Sequence, residues 1–224
     1  MNPMQFSLWL EKTETGRPIV FSDMDETLVH NMEIDWLKDS PDNKEFAKMV
    51  VPGKAPYPDV KKIHAEDKDM YVFPRPGATE FIKSVNEFAD FYFLSHSRID
   101  YVEKVVEVMG WKKLVKGCFS AGDTKPGELG KKFNLASRKW LLIDNLQINS
   151  IEITNKMRIL GLGGDSKNPK EIAKEVMRQA DEHFIDVEDW VATVHEYDDY
   201  ELWKTLPKVK EKLGLDWTQD DPNF

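Results

Sequence analysis

An α/β fold, a doubly wound parallel sheet flanked by helices, is predicted from three features of the sequence. Short, continuously apolar runs recur, among them Ile19-Val20-Phe21, Phe91-Tyr92-Phe93-Leu94 and Trp140-Leu141-Leu142-Ile143. Strands buried on both faces read in this way instead of alternating. Between the runs lie segments whose apolar residues recur at helical spacing. The first run ends in Asp23 and Asp25, the second in Ser95, the third in Asp144 and Asn145. The carboxyl ends of the strands are where open α/β sheets hold their ligands.

The elements follow in order. After the first strand, residues 31–70 are charged and carry several prolines. Ser40-Pro41 would open a short helix bearing Phe46, Met49 and Val50, with proline at the first helical position. Pro52, Gly53, Pro56 and Pro58 then break regular structure. A minimal crossover would be shorter, so 31–70 is expected to be an insertion over the strand ends, either a lid or a solvated loop. Trp36 and Tyr57 would line or anchor it. Tyr71-Val72-Phe73-Pro74-Arg75-Pro76-Gly77 leads into a helix with Phe81, Ile82, Val85 and Phe88 on one face. The second strand ends at Ser95-His96-Ser97-Arg98, and the next helix buries Tyr101, Val102, Val105, Val106 and Met109, with Gly110 at its end. A short strand at 117–120, a loop through Lys125 and a helix opened by Pro126 precede the strand that ends at Asp144. A strand over 157–162, a helix carrying Ile172, Ala173, Val176, Met177 and Ala180, and a last strand near 184–187 complete the alternation.

Composition bounds the function. At 224 residues the chain suffices for one domain spanning 1–224, with 31–70 as its insertion or lid. With 41% hydrophobic and 32% charged residues it reads as a soluble globular chain. The formal net charge of −9 argues against broad nucleic-acid or anionic-membrane binding. The single cysteine, Cys118, excludes an internal disulfide and a cysteine metal site, and an intracellular, cytoplasmic location is expected. Cys118 reads as a small packed hydrophobe. The first residues do not read as a signal peptide, and no apolar run is long enough to cross a bilayer. No repeat or low-complexity segment is present.

Two carboxylates spaced D-x-D after a strand suit a hard, oxygen-liganded cation such as magnesium, although alone they can be a mere polar loop start. The whole string Asp23-Met24-Asp25-Glu26-Thr27-Leu28-Val29-His30 resembles the first motif of the haloacid dehalogenase (HAD) superfamily. More narrowly it is similar to the family of RNA polymerase II C-terminal-domain phosphatases, the NLI-interacting-factor-like phosphatases. Phe93-Leu94-Ser95-His96-Ser97-Arg98-Ile99-Asp100-Tyr101 resembles the family's F-T-A-S-x-x-x-Y, and Arg75-Pro76 with Phe81-Ile82 its R-P-x-x-x-x-F-L. Lys125-Pro126-Gly127-Glu128-Leu129-Gly130 resembles K-D-L-x-x-L-G, shorter by one residue. Asp144-Asn145 matches the D-N of the fourth strand. Val187-Glu188-Asp189-Trp190, Asp198-Asp199-Tyr200-Glu201-Leu202 and Leu206-Pro207 resemble the closing segment.

The resemblance implies a magnesium-dependent phosphomonoester hydrolase with an HAD core. Asp23 would be the nucleophile, giving an aspartyl-phosphate. Asp25 would be acid and then base, and Thr27 would support the loop. Ser95 and Lys125 would bind phosphoryl oxygens. Asp23, Asp25 (through its backbone carbonyl), Asp144 and Asn145 would hold Mg2+. The substrate would be a phosphoprotein, with nucleotides, nucleic-acid ends or small phosphate esters as alternatives and an idle HAD-fold binding module as a rival of another class. The 95–125 interval is too short for the β-hairpin that shapes the peptide groove of the small members, which moves any specificity element to 31–70. His30 and His96 lie near the expected mouth, and His64, His183 and His195 show no ligand spacing; none enters the catalytic set. Residues 161–165 read as a strand-to-helix turn instead of a dinucleotide fingerprint.

Overall fold

The computed structural model describes residues 16–35, 41–54, 57–120, 128–147, 150–151, 153–154, 168–187 and 202–215. Its centre is a five-stranded parallel sheet in the order β6-β5-β1-β7-β8. The strands are β1 (Ile19–Ser22), β5 (Asp90–Ser95), β6 (Gly117–Ser120), β7 (Trp140–Asp144) and β8 (Phe184–Asp186). β1 lies in the middle, with Ile19 beside Asp90 on one side and Trp140 on the other. A central parallel strand is covered on both faces, which is why its residues are apolar without alternation.

Successive side chains of β1 still part to opposite faces. Val20 joins a core with Phe91, Phe93 and the buried stripes of α2 (Ala78–Phe88) and α3 (Ile99–Val108). Ile19 and Phe21 join the other core, where Phe21, Tyr92, Phe119, Phe133 and Trp140 meet edge to face or tilted. Phe133 comes from α4 (Glu128–Phe133). α5 (Pro169–Glu182) begins with Asn168 accepting from Lys170 N–H and proline at its first position, the start signal its sequence carries. Cys118 is fully buried in β6, as its sequence setting led us to expect.

Three expectations need correction or completion. Residues 31–70 are more than a plain loop: β2 (Val29–Glu33), β3 (Lys61–Ala65) and β4 (Lys68–Pro74) form a separate antiparallel sheet in the order β2-β4-β3, as fits an insertion. Its β3–β4 turn uses Glu66 and Asp67 at φ 52 and 62, the paired left-handed geometry of a two-residue hairpin. One face, with Phe73, packs on Val50, Tyr57 and Val60 and on Phe46 of α1 (Pro41–Met49); the other places Ile63, Ala65, Met70 and Val72 in the main core with α3. Tyr57 anchors this layer, its ring edge-on to Phe73 at 5.3 Å and fully buried. A helix absent from the sequence reading, α6 (Leu202–Lys212), packs against α2 despite Pro207 inside it. The expected strand at 157–162, the turn at 161–165, Trp36 and most of the closing motif lie outside the described residues.

The amino end of the sheet is tied by charge. Asp90, fully buried at the start of β5, accepts from Arg138 Nη2 at 2.9 Å and lies 3.8 Å from Arg17 Nη1. Arg17 also donates to the carbonyls of Asn86 (2.7 Å) and Ala89 (3.2 Å) at the end of α2. The described part of the carboxyl end carries acids and hydroxyls.

Candidate active site

The turn from Ser22 to Val29 brings the chain from one sheet into the other. Met24's carbonyl accepts from both Leu28 N–H (2.9 Å) and Val29 N–H (3.0 Å), and Glu26 N–H donates to Val29's carbonyl at 2.7 Å. Glu26 sits at φ 59, a left-handed conformation that this tight turn imposes. Arg75, 2% exposed, clamps the turn from behind: its guanidinium donates to Thr27's carbonyl at 2.8 Å and its backbone N–H to Leu28's carbonyl at 2.9 Å. The sequence reading assigned this arginine no role, though it sits in the R-P motif.

Asp23 leaves β1 at the sheet's carboxyl edge, and its N–H donates to Ile143's carbonyl at 2.8 Å. Its carboxyl is held well above the usual carboxylate range, first by burial, then by the charges of Asp144 and Asp25; Met24's N–H and Ser95's hydroxyl pull the other way. Ser95 therefore already faces the nucleophile candidate, where a phosphoryl group would sit. Asp144 ends β7 beside Ser22 and Ile143 and is 1% exposed, with Oδ1 accepting from Leu146 N–H at 2.8 Å. Thr27 Oγ1 lies 3.5 Å from Asp23 Oδ2 and 3.4 Å from Asn145 Oδ1, and accepts from Asn145 N–H at 3.2 Å. Asp23, Thr27, Ser95, Asp144 and Asn145 thus converge, whereas Lys125 lies outside the described residues.

Asp25 is close enough to raise Asp23's pKa, but its carboxylate is engaged elsewhere. Oδ1 accepts from Asn31 Nδ2 at 2.8 Å and from Tyr101 OH at 2.5 Å; Oδ2 accepts from Ser97 Oγ at 2.7 Å. Burial raises Tyr101's pKa well above its ordinary value, and Asp25's charge adds to this, so the phenol stays a donor. Ser97 and Tyr101 stand in the motif after β5, but Asn31 comes from the inserted sheet, where no sequence signal marked it. His30 pairs with Glu26 at 2.8 Å, and His96 is exposed.

Among the described residues no three acidic, histidine or cysteine side chains converge as a ready-made metal group. The donor set still fits a hard divalent cation: two carboxylates, an amide oxygen and backbone carbonyls, with Asp23 destabilised as an anion until positive charge arrives. With its side chain turned to Asn31, Ser97 and Tyr101, Asp25 would contribute only its backbone carbonyl.

Buried carboxylates and a strand-end hydroxyl lie at the carboxyl edge of a doubly wound sheet, with an antiparallel layer inserted after the first strand. The profile of the NLI interacting factor-like phosphatases matches residues 18–156, and the chain belongs to that family. The match ends short of the closing segment at 187–207. No curated protein matches the chain. Among solved structures the chain is similar to Fcp1, an essential RNA polymerase II CTD phosphatase, at 14% identity and TM-score 0.51, over 92% of this chain and 56% of that one. It therefore spans little more than half of that Fcp1 chain, and the likeness is one of fold. Lower scores are found with fission yeast Fcp1-R271A bound to beryllium fluoride (15% identity, TM-score 0.44, 92% of this chain and 58% of that one) and the HAD domain of effector protein Lem4 from Legionella pneumophila (14%, TM-score 0.40, 88% and 95%).

Proposed function

We propose that the chain is a magnesium-dependent phosphomonoester hydrolase working through phospho-Asp23. The observation that carries this reading is Asp23 buried against Asp144 and hydrogen-bonded by Ser95, a nucleophile with an oxyanion donor and a second carboxylate at its side. In the first step Asp23 attacks phosphorus as the ester P–O bond breaks, and Asp25 gives its proton to the leaving oxygen. In the second, water attacks the acyl phosphate, Asp25 takes the water's proton, and phosphate leaves. Ser95 and Lys125 bind the phosphoryl oxygens, Thr27 braces the turn, and the reaction is mostly positioning and charge neutralisation. Mg2+ held by Asp23, Asp144, Asn145 and the Asp25 carbonyl would screen the repulsion between the Asp23 carboxylate and the dianionic ester.

We favour a phosphorylated protein as substrate, with phosphorylated small molecules, nucleotides and nucleic-acid ends as alternatives to be screened. We read 1–224 as one domain with 31–70 inserted, acting inside the cell, where a lone buried thiol stays reduced. No helix among the described residues is long and apolar enough to cross a membrane.

The test is phosphate release from an aryl phosphate with Mg2+ or with chelator, for the wild type and Asp23→Asn. Turnover that needs Mg2+ and falls by about a thousandfold or more in the variant is expected. Activity that survives Asp23→Asn overturns the mechanism.

A further inference from the structure

Asn31 carries the inserted sheet to the carboxylate of Asp25 in the candidate catalytic turn. Asn31 lies in the middle of β2, on the face that carries Val29 and Glu33, and its partner on β4 is Val72, which is buried in the main core. Asparagine is depleted from strands, and its amide must find partners when it faces an apolar layer. The partners here are Asp25 Oδ1, at 2.8 Å, and the Tyr101 phenol.

A carboxylate offers about two lone pairs on each oxygen. Oδ1 of Asp25 is filled by Asn31 and Tyr101, whereas Oδ2 accepts from Ser97 alone and keeps one position open. The two hydroxyls can rotate to donate or accept, but the amide N–H cannot. Asn31 is thus the fixed member of the three, and it sets which oxygen faces outward.

We propose that Asn31 is a positioning residue for Asp25, fixing the carboxyl so that Oδ2 is the oxygen that passes the proton to the leaving group. This rests on the role given to Asp25 above. On phosphorylation of Asp23 the P–O bond breaks, the proton on Oδ2 moves to the departing oxygen, and Asp25 is left as the carboxylate that the three donors receive. The inserted sheet then serves catalysis through one amide, by aiming a proton donor.

The readout is the dependence on leaving group. An alkoxide needs the proton as the bond breaks, whereas a nitrophenolate hardly does. Asn31→Leu fills nearly the same space without a donor. Its kcat/KM, which reports the first phosphoryl transfer, should fall about 10- to 100-fold for an alkyl phosphate such as glycerol phosphate and only about threefold for nitrophenyl phosphate. In an Asp25→Asn background, Asn31→Leu should cost nothing further, since the two act as one unit. Equal losses on both substrates, or a further loss in the Asp25→Asn background, overturn the proposal. Should the leucine variant not fold, Asn31→Thr keeps a good strand former and is judged by the same ratio. An Asp25→Asn enzyme with undiminished alkyl phosphatase activity would instead break the reading of Asp25 itself.

Discussion

Thr27 has one hydroxyl hydrogen and two acceptors for it, Asp23 Oδ2 and Asn145 Oδ1, while its oxygen takes the Asn145 N–H. It couples the first motif to the last. Thr27→Val keeps the shape and removes all three contacts. The half-saturating Mg2+ concentration or the kcat/KM should worsen about 10- to 100-fold, the usual cost of losing a group that orients metal-binding residues. Stability should fall by only about 1–3 kcal/mol, for the lost hydrogen bond from Asn145 N–H; a Mg2+ titration of activity beside a urea melt separates the two. Most of this cluster was legible because its residues sit at strand ends within short motifs: Asp23, Thr27, Ser95, Asp144 and Asn145. Asn31, Arg75 and the partners of Asp25 were not, because a hydrogen bond from a turn to a distant strand, loop or helix leaves no periodic trace in either.

At the scale of elements, the inserted sheet escaped sequence reading for a physical reason. It is covered on both faces, by Phe46 of α1 with Val50, Tyr57 and Val60 on one side and by α3 on the other, so its strands do not alternate cleanly. Lys61-Lys62-Ile63-His64-Ala65 carries only two apolar residues, and Tyr71-Val72-Phe73 runs into prolines that suggest a turn. The three middle parallel strands, β5, β1 and β7, each a dense apolar run, were visible at once. Two predictions belong here. Asp90→Ala leaves Arg138 and Arg17 without their shared carboxylate, and a loss of about 3 kcal/mol is expected in urea unfolding, at the lower end for a broken buried pair because Arg17 keeps a quarter of its exposure. The second concerns His183, which caps α5, stacks on the Trp140 ring at 4.2 Å and donates Nδ1–H to Trp140's carbonyl at 3.0 Å. Burial lowers its pKa below 6.5. As pH falls from that value towards the folded pKa, the unfolded chain takes a proton that the folded one refuses, so stability drops over that window and is regained as pH rises. Urea midpoints compared at about pH 7.5 and about pH 5.5 should diverge in the wild type and less in His183→Gln.

For the molecule as a whole, the site stores a cost that function requires. Asp23, buried beside two other carboxylates, destabilises the metal-free fold. Asp23→Asn should therefore melt higher than the wild type in chelator, by about 2–4 °C for about 1 kcal/mol in a domain of this size. Saturating Mg2+ should narrow or reverse the gap, because only the wild type binds it fully; scanning calorimetry of both proteins with and without Mg2+ decides. The fold class and the order of strands and helices were written in the sequence, since composition, run length and spacing act over the whole chain. The second sheet and α6 were not, because each depends on which distant surface happens to cover it.

The position of β1 has a consequence for biosynthesis. The strand that carries Asp23 leaves the ribosome before both of its neighbours, which begin at Asp90 and Trp140. Until β7 has emerged, β1 has an open edge, and Asp144 is not there to face Asp23. The nascent chain must therefore hold this buried strand half-paired until residues 96–139 have been added, at about 5–20 residues per second. The cluster around Asp23 is completed only once Asp144 has been made.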